Sequence, residues 1–160
     1  MVVTWVGKNP FPDTRIALYE DPIGPYWSIL AIDPGDPCGV AALVGPGYDF
    51  AGFRDRRIEL WQGQPWHLVE MIRDAEGSDG IVAAELPPQP LRVYHSAPWE
   101  VFGAARLVSR AMGLRFRPVP VAARAAARKR FRASPGYGQF PHALDALAVL
   151  LYVTCRKEEA

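Results

Sequence analysis

The sequence predicts an α/β fold, because short apolar runs typical of strands alternate with amphipathic stretches typical of helices. Residues 29–32 are four apolar residues that lead into Asp33, and residues 81–84 lead in the same way into Glu85. A long and almost wholly apolar stretch follows Pro141 and predicts a buried helix. The chain has 160 residues, which suits one domain with its own hydrophobic core.

The elements are expected in a simple order along the chain. Residues 1–26 contain four prolines and two short apolar runs, and predict an N-terminal extension ahead of a single domain at 27–156. A Pro/Gly-rich connection after Asp33 leads into a second apolar run that ends at Val44, which predicts a hairpin. The remaining expectations are a strand within 48–60, a helix over 65–75, a strand ending at Glu85, a helix over 98–112, an edge strand over 115–121, a helix over 122–131 and the buried helix over 141–154.

The charges are distributed unevenly, although the net charge is only +1. Residues 1–100 contain 7 Lys and Arg against 14 Asp and Glu, whereas residues 101–144 contain 9 Lys and Arg and no acid. An acid-free block of this length favours contact with a polyanion such as nucleic acid, and a neighbouring acidic face of the same protein or solvent alone are the alternatives.

Several classes of protein do not fit the sequence. The two cysteines lie far apart without the spacing of a zinc site or a disulfide framework. The first residues do not resemble a signal peptide, and no apolar run reaches the length of a membrane span. A soluble, intracellular protein is expected.

Four side chains are candidates for a functional site. Asp33 and Glu85 end apolar strands, while His142 and Asp145 lie three residues apart and share a face of the buried helix. Taken singly, each has an ordinary explanation as a turn former, a strand end or a residue favoured by the helix dipole. Together they include three carboxylates, which would repel one another in apolar surroundings unless a cation such as Mg²⁺ or Mn²⁺ lay between them.

Three motifs resemble those of one known family. They are Ile-Asp-Pro-Gly at 32–35 followed by Gly-Val-Ala at 39–41, a strand that ends in glutamate at 81–85, and His-Ala-Leu-Asp-Ala-Leu-Ala at 142–148. In this order, with the basic block between the second and third, they resemble the RuvC-type Holliday junction resolvases of the ribonuclease H-like superfamily. The resemblance spans residues 28–153, and the segment 100–106 is most similar to the phage or small bacterial branch.

The resemblance implies a fold and an activity. The fold is a mixed five-stranded sheet flanked by helices. The activity is cleavage of four-way DNA junctions by paired symmetric nicks that leave a 5′-phosphate and a 3′-hydroxyl. Two Mg²⁺ ions about 3.5 to 4 Å apart, with Mn²⁺ as a substitute, are expected between the catalytic ligands. Those implied ligands are Asp33, Glu85, His142 and Asp145.

The resemblance also implies partners and a location. The protein is expected to act as a homodimer, with the helix over 98–112 as a candidate interface, in the cytoplasm of a bacterial or phage-infected cell. Its candidate contacts to backbone phosphates are Arg124, Arg128, Lys129, Arg130 and Arg132.

The sequence departs from the family pattern in three respects, the first being a basic segment rich in Arg where the longer enzymes favour Lys. Cys38 stands where the family often has threonine or serine, and prolines follow Glu85 where longer enzymes carry an aromatic wedge, which leaves Tyr94 as the candidate. Three alternatives therefore stay open. They are a nuclease of the same fold that cuts RNA:DNA hybrids or other branched DNA, a non-catalytic nucleic-acid-binding module, and a structural protein whose Arg-rich block meets its own acidic half.

Overall fold

The computed structural model describes residues 2–45, 56–87, 96–132 and 139–159. Most of these residues belong to a sheet and the helices packed on it. The strands are β1 (Thr4–Trp5), β2 (Arg15–Leu18), β3 (Trp27–Asp33), β4 (Cys38–Val44), β5 (Arg57–Gly63), β6 (Ile81–Glu85), β7 (Arg115–Val119) and β8 (Phe131–Arg132). The helices are α1 (Pro65–Arg73), α2 (Ser96–Ala111), α3 (Val121–Arg128) and α4 (Pro141–Glu159).

The main sheet is mixed and has the strand order β2-β5-β4-β3-β6-β7. Strands β3, β4 and β5 form an antiparallel meander, and β6 and β7 continue the sheet parallel to β3. Because helices cover both faces, the predicted α/β class with a mixed sheet flanked by helices is confirmed.

The expected number of strands is wrong, since the sheet has six strands and not five. The additional strand is β2, which pairs in parallel with β5 and becomes the edge strand of the sheet in its place. Strand β1 pairs separately with β8. Residues 15–18 thus contribute to the main sheet, and the division of the chain at residue 26 stays a prediction.

The other predicted strands and helices are present, with small shifts of their ends. Helix α1 begins at Pro65 and α4 at Pro141, where the missing N–H is tolerated. The expected strand within 48–60 is present as β5, displaced toward the C-terminus, and residues 46–55 of that expectation lie outside the described residues.

The sheet separates two apolar layers by the alternation of its side chains. Ile29 and Ala31 of β3 pack in the layer that contains α4, whereas Leu30 and Ile32 pack in the layer that contains α1 and α2. Helix α4 is apolar on nearly all sides, yet no helix in the described ranges is both long and apolar enough to cross a membrane.

A glycine allows α4 to lie directly on the sheet. Gly39 is paired with Asp33 in the β3–β4 ladder, and a Cβ atom at this position would overlap the backbone carbonyl of His142. The absence of a side chain therefore sets the distance between the end of β3 and the first turn of α4.

We expect Gly39→Ala to destabilise the protein by about 1–3 kcal/mol, because α4 must move away from β4 to admit the methyl group. Gly103→Ala is the matched control, since Gly103 lies exposed on α2 and a Cβ there would meet nothing within 4 Å. This control should be neutral or stabilising by about 0.5–1 kcal/mol. Urea unfolding measures both variants, and equal midpoints for the two would contradict the role given to Gly39.

Candidate active site

Two carboxylates meet at the carboxyl ends of neighbouring strands. Strands β3 and β6 are parallel, and Ile32 is paired with Ala84, so the next residues of the two strands are Asp33 and Glu85. Alternation places both side chains on the α4 side of the sheet, because Ala31 and Ala83 pack in that layer. Asp33 and Glu85 are only 7% and 4% exposed, which makes them two of the few buried polar residues in the described part of the chain.

Helix α4 adds the other two candidate residues from its first turns. Nδ1 of His142 lies 3.0 Å from Oδ2 of Asp33, a distance at which an imidazole N–H donates to a carboxylate. Asp145 lies one turn further along and faces the same group of acids. The four candidates thus come together in space from β3, β6 and α4, although their roles stay predictions.

A glutamine of the sheet fixes where α4 begins. Oε1 of Gln62 on β5 accepts the backbone N–H of Ala143 at 3.3 Å, and Nε2 of Gln62 donates to the carbonyl of Gln139 at 3.3 Å. The first N–H groups of a helix lack partners within the helix, so this contact stabilises its start. Sequence reasoning did not identify Gln62, because no local pattern joins residues that are 81 positions apart.

An arginine occupies the middle of the acid cluster, by which we mean the carboxylates of Asp33, Glu85 and Asp145. Nη1 of Arg124 lies 3.0 Å from Oε2 of Glu85, 3.4 Å from Oδ2 of Asp145 and 3.7 Å from Oδ1 of Asp33. Three carboxylates from three elements therefore share one guanidinium nitrogen.

The remaining basic candidates fall into different surroundings. Arg128 is half-buried, and its Nη1 lies 3.4 Å from Oδ1 of Asp145. Lys129 is exposed, while Arg130 donates from Nη2 to the carbonyl of Lys8 at 3.2 Å. Arg132 and Tyr94 were also candidates, but the side chain of Arg132 and the whole of Tyr94 lie outside the described residues. Part of the basic block thus meets the protein's own acids, as one of the alternatives anticipated.

Burial shifts the protonation of the acids. Desolvation raises the pKa of Glu85 to about 7, against the lowering effect of Arg124 and with a further rise from Asp33 and Asp145. Desolvation also raises the pKa of Asp33, and the hydrogen bond from His142 opposes that rise. The Glu85 carboxyl therefore changes its protonation near neutral pH.

Two buried polar atoms within this arrangement have no hydrogen-bond partner. Oε2 of Glu85 and Nε of Arg124 are both buried and unbonded, even though the ion pair between the two side chains is only 3.0 Å long. The guanidinium thus donates a hydrogen bond from Nη1 to Oδ2 of Asp145 at 3.4 Å, whereas it meets Glu85 as a close charge without hydrogen-bond geometry.

The ligand atoms of the cluster are of the kind that a divalent metal prefers, but their present positions do not form a metal site. Carboxylate oxygens are the ligands that Mg²⁺ and Mn²⁺ prefer, and Oε2 of Glu85 is unbonded. Within the described ranges, however, no group of three or more His, Cys, Asp or Glu side chains lies close enough together, as the side chains now stand, to hold a metal ion. The space between the acids is filled by Arg124.

Cys38 does not contribute a reactive thiol to this region. Its side chain is buried beside the β3–β4 turn, and burial raises the pKa of the thiol to about 12. The thiolate form, which is the nucleophile and the metal ligand, is therefore disfavoured.

Comparison with known proteins gives matches only among solved structures. No protein-family model matches the chain, and no curated protein matches it. Thermus thermophilus RuvC in complex with a Holliday junction substrate is 14% identical, with a TM-score of 0.48 over 78% of this chain and 90% of that chain. A second structure of Thermus thermophilus RuvC is 17% identical, with a TM-score of 0.41 over 78% and 91%. Likeness at this level assigns no activity to the chain.

The raised pKa of Glu85 predicts how stability depends on pH when metal is removed with EDTA. The folded state binds this proton more tightly than the unfolded state, so its contribution is complete below about pH 4.5 and is lost as the pH rises to about 7. The loss amounts to about 3 kcal/mol by the conversion of 1.36 kcal/mol per pKa unit.

Glu85→Gln should remove this part of the pH dependence and stabilise the metal-free protein at pH 8. Glu100→Gln is the matched control, because Glu100 is exposed on α2. Urea unfolding between pH 4 and pH 8 provides the measurement. An unchanged pH profile in Glu85→Gln would show that this carboxyl is not the group responsible.

Proposed function

We propose that the protein is a divalent-metal-dependent nuclease of the ribonuclease H-like type that nicks branched DNA. One observation carries the proposal: three carboxylates from β3, β6 and α4 lie within 3.7 Å of a single cationic atom. Three acids that face one point favour a cation between them. Phosphoryl transfer requires positive charge close to the reacting phosphate, and a metal ion between these acids would supply it.

The residues of the cluster fit a divalent metal by their chemistry. Asp33, Glu85 and Asp145 would supply carboxylate oxygens, among them the buried Oε2 of Glu85, whose present neighbour is Nη1 of Arg124 at 3.0 Å. His142 would orient Asp33 through the 3.0 Å contact and could serve as a further ligand. When bound, Mg²⁺ or Mn²⁺ supplies Lewis acidity at the phosphoryl group and lowers the pKa of attacking water.

The choice of substrate rests on the three sequence motifs and on the basic residues near the acids. Arg128 lies against Asp145, and the exposed Lys129 follows directly after α3, so a phosphate backbone could pass beside the cluster. A four-way junction cut by paired symmetric nicks, with a 5′-phosphate and a 3′-hydroxyl as products, is the reaction that the motifs favour. Paired nicks need two copies, and we propose a homodimer that uses α2, the helix expected over 98–112, as its interface.

A second candidate function is a nucleic-acid-binding module without catalysis. Arg124 favours it, because a guanidinium that neutralises the acids permanently would leave no place for a metal ion. The two candidates differ in whether DNA is cut, and so they can be separated directly.

The first test is incubation of the protein with a labelled four-way junction, a linear duplex and an RNA:DNA hybrid, each with Mg²⁺, Mn²⁺ or EDTA. We expect symmetric nicks in the junction that EDTA abolishes. Binding of the junction without cleavage in either metal would favour the binding module. Cleavage of the hybrid alone would change the substrate and retain the site.

Asp145→Asn should lower junction cleavage by on the order of a hundredfold or more, the usual result when one electrostatic group is removed from such a site. Binding of the junction should be equal or tighter, because one negative charge near the phosphates is lost. Asp74→Asn at the exposed end of α1 is the control for the loss of an aspartate. Turnover of Asp145→Asn at the rate of this control would exclude Asp145 from the site.

A further inference from the structure

The position of Arg124 follows from the way β7 continues into α3. Val119, the last residue of β7, is paired with Glu85, and α3 begins two residues later at Val121. Arg124 therefore lies on the first turn of a helix that starts beside the acid cluster. The backbone N–H of Arg124 donates to the carbonyl of Pro120 at 3.4 Å, which fixes this turn against the end of the strand.

The side chain of Arg124 turns inward, toward the acids. It is only 23% exposed, and its Nη1 is the atom that the three carboxylates share. By contrast, Lys129 at the end of the same helix is exposed. The structure thus uses one cation of the basic block inside the protein and leaves another at the surface.

The fit of Arg124 to the acids is incomplete. Its Nε is buried without an acceptor, and Oε2 of Glu85 has no hydrogen bond although Glu85 is only 4% exposed. A bidentate pair between arginine and a carboxylate would satisfy such atoms with two parallel hydrogen bonds. Arg124 therefore hydrogen-bonds one acid of the cluster, Asp145, and meets the buried Glu85 without a bidentate pair.

A metal ion and this guanidinium cannot occupy the cluster together. Carboxylate oxygens lie about 2.0–2.1 Å from Mg²⁺, closer than Nη1 now lies to any of the three acids, so the acids must draw together around an ion. Two like charges at that separation also repel strongly in surroundings of low dielectric constant. One cation must leave before the other enters.

We infer that Arg124 is a resident cation that competes with the divalent metal for the acid cluster, an inference that rests on the proposed function. In the metal-free protein Arg124 balances the buried carboxylates. Metal binding expels the guanidinium, so the measured metal affinity is the affinity of the acids reduced by the competition with Arg124. The expelled side chain becomes able to bind a phosphate, and metal and DNA therefore strengthen each other's binding.

Titration with Mn²⁺, followed by the electron paramagnetic resonance signal of the free ion, tests the competition without any cleavage. We expect Arg124→Gln to bind Mn²⁺ at least about tenfold more tightly than the unaltered protein, because a competing charge within 4 Å is gone. Lys129→Gln is the matched control, since it removes one positive charge from the exposed end of the same helix. Its Mn²⁺ affinity should change less than about twofold, as exposed charges interact weakly.

A second measurement uses the unaltered protein and so does not depend on the folding of a variant. Phenylglyoxal modifies accessible guanidinium groups, and mass spectrometry locates the modified residues. Arg124 should react slowly in EDTA and several times faster with saturating Mn²⁺. Arg106, exposed on α2, is the internal reference whose rate should not change.

The outcomes separate the inference from the proposed function. Equal or weaker Mn²⁺ binding in Arg124→Gln, or an Arg124 that stays protected in the metal-bound protein, overturns the competition and leaves the nuclease proposal standing. Absence of Mn²⁺ binding from both proteins overturns the metal site and the inference together. Tighter binding in Arg124→Gln with metal-dependent exposure of Arg124 supports both.

Discussion

Repulsion between buried carboxylates is the constraint on which the rest of this structure depends. Asp33 and Glu85 lie at the ends of two strands with almost no contact with water, and Asp145 faces them from α4. Such a group is unstable unless protons or cations neutralise it. The raised pKa of Glu85 and the inward position of Arg124 are two responses to this one requirement.

The sheet creates this constraint by simple geometry. Parallel pairing of β3 with β6 brings the two strand ends together, and alternation turns both acids toward α4. The glycine at position 39 then allows the backbone of α4 to lie directly on β4. Without that close approach, His142 could not reach Asp33 at hydrogen-bond distance.

The sequence predicted the parts of the site that depend on local pattern. An acid after an apolar run indicates a strand end, and the spacing of His142 and Asp145 indicates one face of a helix, so all four candidates could be named in advance. The sixth strand and the inward turn of Arg124 depend on contacts between distant segments. A run of basic residues has the same pattern whether its side chains face solvent or the interior, so the sequence indicates Arg124 only as a candidate phosphate contact and leaves contact with the protein's own acids open.

The acids of the cluster are widely separated along the chain, at positions 33, 85 and 145. Because a domain folds as a unit, the three acids meet only when these distant segments come together in the tertiary structure. Arg124 lies in the segment between the second acid and the third, and it reaches the cluster in the same folding step. The carboxylates are thus solvated and far apart in the unfolded chain, and their counter-charge is present as soon as they are brought together.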